Sequence, residues 1–402
     1  MKLEKICHIS SGGTPSRGKS QFYGGDIPWA KISDIENSVN GILTETEEKI
    51  TEEGLKSIGN RIFPKGTLLF AMYGSIGKVA ITGRELATNQ AILGIRPKGN
   101  KEIYLPYLKV WFESNKQKLI NQGRGVALQN LSATIIRNLE VPLPSFSDQL
   151  HIANILSKAE KLISQRKQSI ALLDEFLKST FLEMFGDPEK NPKKLPFIEL
   201  EKLCSIIVDC PHSTPLKSKE ITNFPCIRTS ELTNGYISWD SMQYLDNAEY
   251  KVRTQRLIPV EGDIVYGREG TYGEAIRIPS THKFSLGQRT MLFRPDYKKT
   301  NSIYLWAMVR SEFVYRQAKK KNSGSTVGHV NVKDIRQFRL LNPPIELQTQ
   351  FAQIVEKIEA LKAQYQSSLQ KLENLYGSLS QRAFKGELTL NKAEVEVLMA
   401  AE

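Results

Sequence analysis

Several short runs in this chain have the look of chemical machinery. Gly74-Ser75-Ile76-Gly77-Lys78-Val79 suggests a phosphate loop, but its glycines have the wrong spacing and no hydroxyl follows the lysine. The matching run later in the chain ends Gly273-Glu274, which would repel a phosphate, so both read as glycine turns between strands. Asn342-Pro343-Pro344-Ile345 lacks the aromatic residue that would stack on a flipped base, and reads as the entry to a helix. Cys210, His212 and Cys226 include no paired Cys-x-x-Cys, and Cys7 beside His8 has no context of a nucleophile and its base. These runs contain no catalytic constellation and imply no metal site.

The residues that remain suit recognition. Base edges are read by amide, hydroxyl, guanidinium and aromatic groups on loops and strand ends. In the first part of the chain the candidates are Lys31, Ser33, Tyr73, Ser75, Asn89, Gln90, Arg124, Gln129 and Asn130. In the second they are Arg228, Ser230, Arg268, Thr271, Tyr272, Gln288, Arg289, Thr326, His329 and Asn331. Taken alone, each reads first as a solvated surface or turn-stabilising residue. As a set they fall at equivalent places with altered identity, as two readers of different sequences would. Lys319-Lys320-Lys321 reads as a solvated helix end, with phosphate contact as the second reading.

Two long helices must position these loops. Between Gln348 and Phe384, Phe351, Ile354, Ile358, Leu361, Tyr365, Leu372, Leu375 and Leu379 recur at steps of three and four, broken at Ser368. That is a coiled-coil seam on a helix of roughly 55 Å. Its partner lies roughly 200 positions earlier, where Ile152, Ile155, Ala159, Leu162, Leu173 and Phe176 repeat the pattern behind Gln149 as the others do behind Gln348. The repeat extends outward. Leu3-Glu4-Lys5-Ile6-Cys7 returns as Leu200-Glu201-Lys202-Leu203-Cys204, Gly66, Gly74 and Gly77 as Gly262, Gly270 and Gly273, and Tyr104-Leu105 as Tyr304-Leu305.

The chain is therefore two copies of one unit, of class α+β: a β-rich α/β domain followed by a long helix. The expected organisation is a first domain at 1–147, a helix at 148–186 capped by Ser147 or Asp148, and a linker at 187–197. A second domain at 198–346, a helix at 347–386 and a tail at 387–402 complete it. Each domain should carry one amphipathic helix, near Leu105–Ile120 and Tyr304–Lys320. Because each domain precedes its helix, an antiparallel pair would set the domains at opposite ends of the rod. Arg166 and Tyr365 would then meet near the crossing, either as a cation–π pair or as a solvated arginine beside an ordinary seam residue.

A formal charge of +12 favours a polyanionic partner. Four cysteines suit a reducing cytoplasm, the first residues lack an apolar signal core, and no run approaches the ~20 apolar residues of a membrane span.

Ser11-Gly12-Gly13-Thr14-Pro15, Gly74-x-x-Gly77-Lys78, the Pro-rich entry into a Gln-headed helix, Ala383-Phe384-Lys385-Gly386-Glu387-Leu388 and the tandem plan together resemble the specificity subunit of type I restriction–modification systems. Two places depart from the pattern: Met184-Phe185-Gly186 at the first helix end, and Cys210-Pro211-His212-Ser213-Thr214-Pro215 in the second copy. The resemblance implies a non-catalytic, cytoplasmic, prokaryotic subunit with no cofactor of its own and no membrane association. It implies two target-recognition domains, each reading half of a bipartite site in double-stranded DNA. The helices would be a spacer that docks two modification (methyltransferase) subunits binding S-adenosylmethionine, and restriction (motor-nuclease) subunits using ATP and Mg would join them. The alternative is a coiled-coil nucleic-acid-binding scaffold without sequence specificity.

Overall fold

The computed structural model describes residues 1–99, 103–122, 131–321 and 328–388. Contacts divide the chain into two compact units, Met1–Ser169 with Tyr365–Glu402, and Ile170–Gln364. Each unit holds one β-rich domain and half of each long helix, Phe146–Phe185 and Ile345–Phe384.

In the first unit a five-stranded sheet runs in the order Cys7–Ser11, Ile92–Pro97, Leu68–Ala71, Val79–Thr82, Ile42–Leu43, antiparallel except for the last pair. A second sheet orders Glu48–Ile50, Tyr23–Ala30, Leu86–Thr88 and Ile62–Phe63, with the central pair parallel. The second unit repeats this with shorter sheets. Cys204–Asp209, Thr290–Pro295, Ile264–Gly267 and Ala275–Arg277 form an antiparallel sheet. Beside it Gln243–Tyr244, Pro225–Ile227 and Ser285–Leu286 again contain one parallel pair. The fully buried residues of Leu68–Ala71 and Ile264–Gly267 explain why these strands read as unbroken apolar runs.

The expected amphipathic helices are each two helices. Leu105–Ser114 is followed by Lys116–Gln122, and Ser302–Val309 by Glu312–Lys321. The structure also shifts the repeat here. The buried phenols of Tyr107 and Tyr304 donate to the carbonyls of Pro142 and Leu341 at 2.9 and 2.8 Å, so Tyr107, rather than Tyr104, is the counterpart of Tyr304. Gln149 and Gln348, both buried, pin the helix entries in the same way. Each donates to a carbonyl of the proline-rich approach, Pro144 or Pro343, and accepts from the backbone N–H of Tyr104 or Asn301 at the start of the domain helix. The cap of the first long helix is Ser145, whose hydroxyl accepts from the Asp148 N–H at 3.2 Å, rather than Ser147 or Asp148.

Within each unit the two helix halves run antiparallel, since partner numbers fall as residue numbers rise. In the first unit Glu160 meets Tyr376, and Lys167 meets Glu373. The Arg166 guanidinium lies 4.3 Å from the Tyr365 ring centroid, which selects the cation–π reading. In the second unit Asp174 pairs with Lys362 at 2.6 Å, and Phe181 and Phe185 pack on Phe351.

The seam itself needs correction. Ile152 and Phe351 are buried, and Ile155, Leu173, Ile354, Ile358, Leu361, Tyr365, Leu372 and Leu379 are partly covered. Leu162, Phe176 and Leu375 are 51, 50 and 51% exposed and face away from it. The protected series of the first helix is Ile152, Leu156, Ala159, Ile163, Arg166, Ile170, Leu173 and Leu177. That of the second is Val355, Ile358, Lys362, Tyr365, Leu369, Leu372, Tyr376, Leu379 and Ala383. Both alternate steps of three and four without a break, the heptad pattern. Where two apolar or aromatic residues stand side by side, as in Leu162-Ile163, Phe176-Leu177 and Leu375-Tyr376, spacing alone does not say which is covered, and at Leu361-Lys362 the better covered residue is a cation. The seam holds two cations, Arg166 and Lys362. Each buries an aliphatic stem and sets its charge on a ring or a carboxylate.

Candidate nucleic-acid interface

The loops that carry the candidate residues are tied to one another by the same four backbone hydrogen bonds in both copies. In the first unit Gly12 N–H donates to Ile92, Asn89 to Ala30, Met72 to Ala91 and Leu131 to Met72. In the second Cys210 donates to Thr290, Gly287 to Ile227, Arg268 to Arg289 and Val330 to Arg268. The backbones approach so closely that a β-carbon on Gly12 would lie 2.3 Å from the Thr88 carbonyl oxygen, which excludes any side chain there.

Side chains complete the frame. The Thr14 hydroxyl donates to the Gln90 side-chain oxygen, and Gln288 donates to the His212 carbonyl at 2.5 Å, so repeat-equivalent glutamines hold the Thr-Pro loops. Lys31 and Arg228 each open a helical turn whose third residue, Asp34 or Glu231, accepts from their own backbone N–H. Lys31 also pairs with Glu47 and Glu48, at 2.7 and 2.9 Å, and Arg228 binds the fully buried Glu231. Ser230 donates to Glu231 at 2.8 Å and Ser75 to Glu36 at 2.5 Å. Arg268, nearly buried, is held by Asp209 at 3.0 Å and lies 3.4 Å from His329. Tyr272 stacks on Tyr315, and Thr271 contacts the Thr229 carbonyl.

The most exposed of the set are Tyr73, Gln90, Ser230, Arg289 and Asn331, while Ser33 and Asn89 are half-buried. Arg289 has a left-handed backbone (φ 67°) and pairs with Glu269 at 3.3 Å, beside which His329 also lies. Arg124, Gln129, Asn130 and Thr326 lie outside the described residues, as does most of the tail.

Sequence reading missed Arg17, whose guanidinium sits over Tyr23 and Trp29 at 4.7 and 5.1 Å and forks onto Glu48. The Glu48 carboxyl is held below its usual range by the hydrogen bonds from Arg17 and Lys31. It also missed Arg253, a buried arginine that donates to the carbonyls of Leu286, Ser213 and Pro211 and so fixes the loop bearing His212. Neither belongs to a motif that could have marked it.

The suspected chemical runs have structural explanations. Gly74 and Gly77 turn the chain between antiparallel strands with left-handed backbones, as do Gly270 and Gly273. Cys7, Cys210 and Cys226 are buried, and burial pushes the Cys204 thiol up to about 12. Among the described residues no cluster of three His, Cys, Asp or Glu side chains is arranged to hold a metal ion, and no helix is long and apolar enough to cross a membrane.

Comparison with known proteins bears on both copies. Residues 1–173 and 196–374 each match the family model of the type I restriction modification DNA specificity domain. The type I restriction enzyme MjaIX specificity subunit of Methanocaldococcus jannaschii is 26% identical, over 97% of this chain and 93% of its own. The EcoKI specificity subunit of Escherichia coli is 21% identical, over 94% of this chain and 86% of its own. In fold, the chain is similar to the S subunit of a type I restriction–modification system from M. genitalium, with a TM-score of 0.59 and 12% identity over 96% of this chain and 95% of that one. Two matched copies spanning most of the sequence place this chain in the type I restriction–modification specificity family.

Proposed function

We propose that this chain is the DNA sequence-specificity subunit of a type I restriction–modification complex, acting in the prokaryotic cytoplasm. Each domain reads one half of a bipartite target in double-stranded DNA. The observation that carries this is the loop frame shared by the two copies, held by equivalent hydrogen bonds but bearing different side chains at its exposed tips. A common frame delivers side chains to the same place on the duplex, and different tips select different bases.

The paired long helices set the gap between the half-sites and dock two modification subunits. Those subunits bind S-adenosylmethionine and methylate adenine, and restriction subunits using ATP and Mg join for cleavage. Catalysis belongs to these partners, and this chain needs no cofactor of its own.

Binding to a target duplex and to an unrelated duplex, with the modification subunits present, tests the proposal. The target is first identified by mapping methylation in cells with and without this gene. A specific reader separates the two duplexes by roughly 4–10 kcal/mol. Equal affinities with equal salt slopes would leave only a non-specific scaffold.

A further inference from the structure

The two copies of the interface act as an alignment of two sequences, and they sort its cations into two kinds. Most are balanced within the protein: Arg17 by Glu48, Lys31 by Glu47 and Glu48, Arg228 by Glu231, Arg268 by Asp209, and Arg289 by Glu269. Arg61 and Arg256 differ. Both are exposed, and among the described residues neither forms an ion pair.

They are also equivalent to each other. Arg61-Ile62-Phe63-Pro64 approaches Gly66 as Arg256-Leu257-Ile258-Pro259 approaches Gly262, with one residue more in the second copy. Each stands beside the Thr-Pro loop of its own domain. Arg61 donates to the Gly12 carbonyl at 3.0 Å and borders an open cleft with Thr14, Ser16 and Gln90. Arg256 borders a small cavity with Pro211 and Asp209, next to the carbonyl that Gln288 anchors.

We infer that Arg61 and Arg256 are the phosphodiester contacts of the two interfaces, one in each copy, gripping the DNA backbone whatever its sequence. Two arguments converge. A guanidinium already neutralised by a carboxylate releases few counterions when it meets a phosphate, whereas an unbalanced one contributes its full charge. Residues that read bases must differ between two readers, as the exposed tips Tyr73 and Arg289 differ from their counterparts Glu269 and Ala91. A backbone contact has no reason to differ, and this arginine is the same in both copies. The inference rests on the proposed role as a reader of duplex DNA.

The test is the salt dependence of binding by the full chain with its modification subunits, on the mapped target and on an unrelated duplex of equal length. Arg61→Gln and Arg256→Gln are each expected to lower affinity for both duplexes alike, by about eightfold at 0.1 M salt. Each should reduce the slope of log K against log salt by about 0.9, and the two effects should add. Arg61→Lys and Arg256→Lys, which keep the charge, should restore the slope. An unchanged slope, a loss confined to the target duplex, or lysine variants that fail to restore binding while melting at lower temperature would overturn the assignment. If wild type binds neither duplex, or both equally, it is the proposed function that fails.

Discussion

The two candidate interfaces share a skeleton and differ in what it presents. In the first unit the exposed positions are neutral, Tyr73 and Gln90 with Asn89 beside them. In the second the corresponding stretch carries Arg268, Glu269, Arg289 and His329, a patch of alternating charge held by ion pairs. The helices behind the faces differ likewise. Glu113, beside Lys109 and Glu160 in the first unit, stands where the second has Arg310 over Trp306. The difference shows that backbone hydrogen bonds carry the frame while its tips are free to change.

The strongest way to break this comparison is to exchange residues 198–346 for the corresponding domain of another family member. Methylation mapping should show one half of the target replaced, with discrimination of roughly 4–10 kcal/mol transferred to the new site and the other half unaltered. A change in both halves would mean that the copies do not read independently.

Next in size is the core. Phe351, packed on Phe181 and Phe185, takes the place of Ile152 in the first unit. Phe351→Ala should cost about 3–5 kcal/mol in urea unfolding, whereas Phe176→Ala, at a half-exposed position, should cost less than about 1 kcal/mol. Equal costs would restore the stripe read from apolar spacing.

Between pH 5 and pH 8 a pH effect should arise in the first unit. Burial, with the nearby Glu160 charge, pushes the Glu113 carboxyl up to about 7 against the pull of Lys109. A carboxyl raised in the folded state contributes stability that is full below its unfolded value near 4.5 and is lost as pH rises through about 7. Unfolding measured at pH 5 and pH 8 should therefore show a loss of no more than about 3 kcal/mol in wild type, and less in Glu113→Gln. An identical pH response in the variant would count against this environment.

The smallest effect concerns one tip. Arg289→Ala should relax discrimination in the second half-site by about 1–3 kcal/mol and leave the first alone, as read by binding to duplexes with single substitutions. Uniform weakening across all duplexes would move Arg289 to the backbone contacts.

Much of the fold was legible because it is written twice. Glycine turns, proline-rich helix entries and glutamine heads recur with the residue types that local backbone geometry demands, and those demands act within a few positions of the chain. The long helices were legible for the same reason, since a period of three and four is a local property. Their exact seam was not, because adjacent pairs such as Leu162-Ile163, Phe176-Leu177 and Leu375-Tyr376 fit the spacing equally well, and because Lys362 is covered only with a facing carboxylate to accept its charge.

The interface divided in the same manner. Composition and the repeat placed the candidate residues on these loops. Which cations are balanced within the protein depended on carboxylates near in space but distant in sequence, such as Asp209 for Arg268 and Glu48 for Arg17. The amino-acid order by itself determined the doubled plan and the elements of each copy, because those arise from short-range periodicity. Only the tertiary structure decided which helix face is covered and which arginines keep an unbalanced charge, because burial and pairing are set by neighbours that the chain brings together on folding.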